Sequence, residues 1–449
     1  MQISLIDKYN TPVPRYTSYP TVPHWQTEIP SSEDWISSLR SNYELSPAIS
    51  LYIHLPFCEA LCTYCGCNKR ITKNHAVETP YIDAVLKEWD IYTKSLGFIP
   101  RIKEIHLGGG TPTFFAPSEL ERLITGIVKG AEITSTHSFS FEAHPNSTTQ
   151  EHIDVLYNLG FNRLSIGVQD VTPSILEAIN RQQTVEEVIQ VTEWARNAGY
   201  QSINYDIIYG LPFQREINIF DTAQFIGKQR PDRIAFYSYA HVPWKSKGQR
   251  AFTLEDVPQG GDKSKLYSLG RYLLEMEGYK TVGMDHFCLE SDSLYKAYRG
   301  GEMHRNFMGY TSDYTRCSIA LGASSIGDSW SMYVQNEKGI EAYQEKVNTG
   351  NLPLIKGHQL SSAEERMRAH ILNLMCRDTT RFAEDEMDNL LFPPKNQTKH
   401  LIRDGLLKVN GRTLKVTESG KYFIRNICAA IDPIFQNQTN TNPVFSKAI

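Results

Sequence analysis

Three cysteines spaced as Cys58-x-x-x-Cys62-x-x-Cys65, with a fourth at Cys67, are the densest concentration of reactive groups in the chain. They lie in Phe57-Cys-Glu-Ala-Leu-Cys-Thr-Tyr-Cys-Gly-Cys67, just after the apolar run Ile49-Ser-Leu-Tyr-Ile-His-Leu55. A sulfur-rich loop therefore sits at the end of a buried strand. Thiolates hold soft metals and iron–sulfur clusters, and three on one loop can wrap one side of a four-iron cluster. One iron then has no protein ligand, and that open iron can bind and break a substrate. Structural zinc is the competing reading, since four cysteines could close a tetrahedron. Zinc loops usually bring their sulfurs from two separated Cys-x-x-Cys pairs. Here all four fall within ten residues, and Cys288, Cys317, Cys376 and Cys428 are scattered singly. Disulfides within so short a loop would constrain almost none of the unfolded chain.

Other chemical signals stand at the ends of apolar runs. Gly108-Gly-Gly-Thr-Pro-Thr113 is neither a phosphate-binding P-loop nor a dinucleotide fingerprint. Its glycines let backbone approach a ligand closely, and a tight turn is the plain alternative. Glu142, Gln169 in Gly167-Val-Gln-Asp170, and Asp206 in Asn204-Tyr-Asp-Ile-Ile-Tyr-Gly210 interrupt apolar strands. Polar groups so placed are costly unless paired, so each is a satisfied core group or a ligand contact. Their convergence on the rim that carries the cysteines favours a ligand.

The elements that must position these residues follow from periodicity. Strands are expected at 50–54, 104–107, 138–142, 163–167, 202–208 and 233–237. Between them, residues 81–96 place Ile82, Val85, Leu86, Trp89 and Tyr92 on one helical face and stop at Gly97. Capping boxes are expected at Ser118/Glu121, Thr148/Glu151 and Thr184/Glu187, with the helices ending at Gly130, Gly160 and Gly199. Six βα units give an α/β fold with a parallel sheet and right-handed crossovers, too few for a full eight-stranded barrel. Chemistry then belongs at the C-terminal ends of the strands. From about residue 355 the pattern changes. A helix at 362–377 with a Ser362/Glu365 box, a second helical stretch before Gly405, an Asn410-Gly411 hairpin over 406–416 and a last helix at 418–431 suggest a winged-helix-like module.

The 449 residues allow two or three domains. The expected division is an N-terminal extension at 1–45, a (β/α) part with its own extension at 46–350, and a mostly helical, winged-helix-like part at 351–449. A net charge of −4 and the absence of a basic stripe argue against nucleic acid and anionic membrane as partners. No basic-then-apolar leader opens the sequence and no apolar run approaches ~20 residues. Cysteines without a disulfide pattern fit a reducing compartment, so a cytoplasmic protein is expected.

The motifs taken together resemble the radical S-adenosylmethionine (SAM) superfamily and, within it, the oxygen-independent coproporphyrinogen III oxidases. The likeness runs over nearly the whole chain: Pro14-Arg-Tyr-Thr-Ser-Tyr-Pro20, Pro56-Phe-Cys-x-x-x-Cys-x-x-Cys-Gly-Cys67, Gly108-Gly-Gly-Thr-Pro-Thr113, Asp206-x-Ile-Tyr-Gly-Leu-Pro212, Met284-Asp-His-Phe287, His304-Arg-Asn-Phe307 and Ile424-Arg-Asn-Ile-Cys428. One departure is Glu142-Ala-His-Pro145, where His144 stands at a position expected to be acidic. The resemblance implies a partial, six-unit (β/α) radical SAM barrel at 46–350, with residues 1–45 covering the substrate.

It also implies residue roles. Cys58, Cys62 and Cys65 would hold one 4Fe-4S cluster whose open iron chelates SAM, and one electron would cleave SAM to methionine and a 5′-deoxyadenosyl radical. Tyr52, Gly109, Glu142 and Ile326 match contacts to this SAM. Tyr64, Gly110, Thr111, Gln169, Arg181, Asp206 and Ala240 match contacts to a second SAM. Cys67 would stand beside the cluster as a catalytic residue without ligating it. Arg15, Asp285 and Arg305 are candidates for the four propionates of the substrate, or for ordinary salt bridges. The implied reaction is oxidative decarboxylation of coproporphyrinogen III to protoporphyrinogen IX by a monomer served by an electron donor and an acceptor. A haem-binding chaperone of the same superfamily and a zinc-stabilised DNA-binding regulator are the alternatives.

Overall fold

The computed structural model describes residues 4–26, 28–244, 247–388, 395–437 and 445–447. The six expected strands extend beyond their apolar centres as β1 (Ile49–Leu55), β2 (Arg101–Gly109), β3 (Glu132–Ala143), β4 (Phe161–Gln169), β5 (Ser202–Tyr209) and β6 (Arg233–Ser238). They pair in chain order and in parallel. The crossovers carry α1 (Glu78–Leu96), α2 (Pro117–Lys129), α3 (Gln150–Asn158), α4 (Val185–Ala198) and α5 (Glu216–Gln229), with α6 (Gly260–Met276) after β6. Strands added always in one direction by right-handed crossovers put every helix on the same face. That face buries Leu51, Ile53, Ile105, Leu107, Phe139, Phe141, Leu164, Ile166, Tyr205 and Ile207 against the helices.

The sheet is larger than the periodicity indicates, with twelve strands. Beyond β6 lie β7 (Lys280–Val282) and β8 (His286–Cys288), with β8 antiparallel to both. Beyond β1 comes β9 (Cys317–Leu321) in parallel, then β10 (Ile326–Asp328), β11 (Met332–Asn336) and β12 (Leu354–Gln359) in antiparallel. The sequence reading names no strand in this stretch. Strands of three residues, such as β7, β8 and β10, are too short to show a period of two.

Several helix starts differ from expectation. The Ser118/Glu121 box does not form: Ala116 is the N-cap without a side-chain bond, and Pro117 occupies the first helical position that its fixed φ suits. Thr149 with His152 caps α3, one residue beyond the Thr148/Glu151 expectation. Ser361 with Glu364 caps Ser362–Arg377, one residue before the expected pair. The Thr184/Glu187 box is present as expected. The single last helix is two, Glu418–Lys421 and Ile424–Ile431. In the hairpin, Asn410 is the last paired residue of Leu407–Asn410, and Gly411 and Arg412 make the loop to Thr413–Val416. Thr379–Arg381 adds a third strand. This region has its own core, which also takes in Tyr9, Tyr16 and Tyr19 from the start of the chain.

Candidate active site

The face of the sheet away from the helices is polar, and its residues stand in register. Ser50 pairs with Glu104, Tyr52 with His106, and His106 with Ser140. Glu142 pairs with Ser165, Ser165 with Asn204, and Gly167 with Asp206. A parallel sheet covered on both faces would read as nearly continuous apolar runs, so this alternation marks an interior that faces a cavity. Its lower level is a closed ionic floor. Glu104 accepts from Ser50 (3.0 Å) and Thr311 (3.1 Å), Arg163 donates to Ser138 (2.9 Å), and Arg233 donates to Asp292 (2.6 Å). The upper level opens on a cavity of about 270 Å³.

The cysteine loop closes that cavity. The short strand Phe57–Cys58 pairs in parallel with Arg70–Ile71, which fastens both ends of the loop. The glycine loop is stitched to it: Gly110 N donates to Leu55 O (2.8 Å), and Thr111 N to Phe57 O (2.9 Å). A Cβ on Gly110 would lie 2.7 Å from Phe57 O, so the contact requires glycine. Thr111 Oγ1 donates to Cys58 Sγ at 3.3 Å. Arg181 donates to the Gly167 carbonyl, to Tyr64 Oη (3.2 Å) and to Cys62 Sγ (3.5 Å). Lys69 Nζ donates to Cys65 O at 3.0 Å.

The site separates its protons. A hydrogen bond from Cys67 draws the Cys65 thiol down to about 6, while the same bond and burial push Cys67 well up. Burial pushes Cys58 up to about 11. Burial would raise Glu142, but His106 Nε2 at 3.4 Å and the Gly109 N–H at 3.3 Å hold it below its usual range. Burial first, and the Glu142 charge second, push Asp206 up to about 6. Asp206 accepts from Ser165 (3.0 Å) and Asn204 (2.9 Å). Burial and Arg181 take His144 down to about 3, so it stands uncharged where an acidic group was expected.

Cys58, Cys62, Cys65, Cys67, Tyr64, Gly109, Gly110, Thr111, Glu142, Gln169, Arg181 and Asp206 all border this one cavity. Tyr52 lies next to it, bonded to His54 (3.0 Å) and stacked on His106. Ile326 packs beside Trp25 and Tyr333 on the sheet extension, and Ala240 lines a neighbouring cavity. Arg15 pairs with Asp285 at 3.0 Å. Buried Arg305 lies over the Tyr310 ring at 4.6 Å, and its Nε has no partner among the described residues. The sequence reading passed over His54, His106, Lys69, Ser165 and Tyr237, which hold or border the same site. For all but Lys69, which lies in the cysteine loop, the signal is the shared parity of polar residues on successive strands.

A profile of the Radical SAM superfamily matches residues 52–226. Over 439 residues the chain is 34% identical to the oxygen-independent coproporphyrinogen III oxidase of Pseudomonas aeruginosa, covering 95% of each chain. The chain belongs to the oxygen-independent coproporphyrinogen III oxidase family. The Escherichia coli member is 32% identical over 460 residues, covering 100% of this chain and 98% of its own. A solved structure of coproporphyrinogen III oxidase from Escherichia coli, described as a radical SAM enzyme, matches with a TM-score of 0.88 at 30% identity, over 94% of this chain and 97% of that one. Like its family, the chain is a radical SAM oxidoreductase.

The family implies a 4Fe-4S cluster and SAM, and the residues fit both. Three thiols face one cavity from one loop. Among the described residues no three of His, Cys, Asp and Glu converge on a single ion position. A tetrahedral zinc site needs its donors about one point, whereas each cysteine of a four-iron cluster binds a different iron. Beside the sulfurs, Glu142 and Asp206 suit hydroxyl and amino groups, and Arg181 suits a carboxylate.

Proposed function

We propose that the chain converts coproporphyrinogen III to protoporphyrinogen IX in haem synthesis without dioxygen. Each of two propionates gives up one hydrogen atom, carbon dioxide and one electron, and a vinyl group remains. The observation that carries this reading is the three-cysteine loop facing the Glu142–Asp206 rim in a chain whose whole length matches these oxidases. When bound, the cluster and SAM supply one-electron cleavage and hydrogen abstraction.

The chain's own residues bind and orient. Cys58, Cys62 and Cys65 hold the cluster. Tyr52, Gly109, Glu142 and Ile326 hold one SAM, and Tyr64, Gly110, Thr111, Gln169, Arg181, Asp206 and Ala240 hold a second. Cys67 acts on the substrate without ligating iron, supported by its place on the cavity wall beside Cys65. Arg15 and Arg305 receive propionates, and Asp285, paired with Arg15 at 3.0 Å, orients that guanidinium; the buried Nε of Arg305, without a partner among the described residues, supports this assignment. Residues 1–45 cover the substrate, 46–350 form the catalytic part, and 351–449 pack against the cover. The protein acts as a cytoplasmic monomer with an electron donor and acceptor, and neither nucleic acid nor membrane takes part. Among the described residues no helix is long and apolar enough to cross a membrane.

The test is an anaerobic assay with coproporphyrinogen III, SAM and a strong reductant, following porphyrin and 5′-deoxyadenosine together. Formation of both supports the reading. Deoxyadenosine without decarboxylated porphyrin would keep the SAM chemistry and overturn the substrate.

A further inference from the structure

The end of β6 serves two cavities. Tyr237 borders the cysteine cavity, and residues 238–240 line a second one of about 350 Å³. Arg15 connects them, with its guanidinium 5.9 Å from the centre of the Tyr237 ring and a place on the wall of the second cavity. Lys263 and Arg425 face the same space, among the apolar surfaces of Tyr239, Trp244 and Val257. None of the described residues lining it is Asp or Glu; Asp285, outside the lining, accepts from one Arg15 nitrogen at 3.0 Å and leaves that guanidinium its other donors.

Lys263 is built into place. Gly210 has φ +78, and a Cβ there would lie 2.9 Å from Lys263 Cε, so the lysine stem lies where only glycine leaves room. Its ammonium donates to Tyr239 O at 2.7 Å, which uses one of its three protons. Arg425 directs hydrogen bonds at the carbonyls of Pro14 (3.1 Å) and Lys447 (3.0 Å), so it contributes mainly charge to the cavity. Burial, then the neighbouring Arg425, Arg15 and Lys447, push Lys263 down to about 7. A carboxylate among these cations relieves their repulsion and gains charge-assisted hydrogen bonds.

We propose that this second cavity anchors carboxylates through Lys263 and Arg15, and that its occupants are the non-reacting propionates of the tetrapyrrole while another propionate enters the cysteine cavity. The proposal rests on the substrate reading above. Two sources share this chemistry, since the carboxylate of a second SAM near Ala240 would be held in the same way. The apolar walls and the passage past Tyr237 favour the tetrapyrrole.

The test uses the full-length holoenzyme under anaerobic conditions, with coproporphyrin III binding followed by fluorescence and SAM binding by equilibrium dialysis. Lys263→Met keeps the stem over Gly210 and removes the charge. It should weaken coproporphyrin III binding roughly tenfold to a hundredfold and raise the KM for coproporphyrinogen III, with iron content and SAM affinity unchanged. Lys263→Arg should restore binding. In the wild type, methyl esterification of the porphyrin carboxylates should cost at least the same factor, a measurement that needs no variant to fold. Unchanged porphyrin affinity in Lys263→Met, or tight binding of the ester, overturns the anchor. Loss of SAM affinity alone assigns the cavity to SAM and overturns the tetrapyrrole. If the wild type turns over coproporphyrinogen III while Lys263→Met is silent, only the anchor falls. If the wild type neither binds nor decarboxylates the tetrapyrrole, the substrate reading falls with it.

Discussion

Cys65 and Cys67 are separated only by Gly66, yet the site shifts their proton affinities in opposite directions. The first is drawn down to about 6 by the hydrogen bond that helps hold the second well up. Ligand and neighbour can be told apart by substitution. Changing Cys58, Cys62 or Cys65 to Ala removes one of three cluster ligands, so iron and sulfide content should fall nearly to background in anaerobically purified protein. Cys67→Ser should keep the iron and lose at least about tenfold in decarboxylation, because serine replaces the polarisable sulfur and weak S–H that the cavity wall presents there with a strongly hydrogen-bonding hydroxyl. Asp206 gives a second residue-scale test. Its folded value of about 6 lies above the ordinary aspartate value of 3.8. The stability carried by its protonated form is complete below about pH 3.8 and is lost as pH rises through about 6. Asn is neutral throughout, so in SAM-free protein Asp206→Asn should raise the melting temperature at pH 8 by more than at pH 5.5. Turnover should nevertheless fall about tenfold, since a neutral acceptor binds more weakly than a charged one. Melting curves at both pH values and 5′-deoxyadenosine yield on the same sample decide it; equal shifts at the two pH values would remove burial of the charged form as the cause.

At the scale of elements, the site depends on two loops fitting each other at the ends of β1 and β2. Gly110 is where backbone meets backbone. Its φ is not left-handed, so the constraint is the approach of backbone, with Phe57 O at 2.7 Å and Leu55 O at 2.9 Å from an added Cβ. Gly110→Ala should cost about 1–3 kcal/mol and push the cysteine loop off its seat. Reduced iron occupancy, measured with a lowered melting temperature, checks this; full occupancy at normal stability would show that the loops fit without glycine. Much of this layer was legible in the sequence. Runs such as Ile49–Leu55 are short, apolar and bounded by turn residues, so β1 to β6 could be placed. Cap positions slipped where two hydroxyl residues adjoin, as at Thr148-Thr149 and Ser361-Ser362, because either fits the pattern and only packing selects one. The inner belt was only partly legible. Glu142 and Asp206 stand out as carboxylates, whereas His54 and His106 gain meaning only from the register that sets His106 beside Tyr52 and Ser140. The strands β7 to β12 were not legible, since their pairing with β1 and β6 joins residues far apart in the chain.

At the scale of the whole molecule, the two ends of the chain close on each other. Tyr9, Tyr16 and Tyr19 enter the C-terminal core, Tyr16 Oη donates to Asp432 at 2.9 Å, and Asn426 donates to Tyr9 O at 2.9 Å. Arg425 joins both termini, because its buried guanidinium donates to the carbonyls of Val13 and Pro14 on one side and to Ser446 and Lys447 on the other. Backbone carbonyls buried without a donor cost about 1–3 kcal/mol each, and one planar group satisfies several of them here. Arg425→Gln is shorter and has a single amide, so it leaves some of these carbonyls unpaired. The N-terminal segment should loosen, and limited proteolysis should cut it well before the rest of the chain. The cysteine loop is fastened by Phe57–Cys58 and Arg70–Ile71, which do not touch this closure, so iron content should stay at the wild-type level. If residues 1–45 cover the substrate, porphyrin affinity should fall while SAM-dependent deoxyadenosine release without substrate persists. An unchanged proteolysis pattern would show that Arg425 does not hold the segment. A loosened segment with unchanged porphyrin affinity would show that it packs on the protein without covering the substrate.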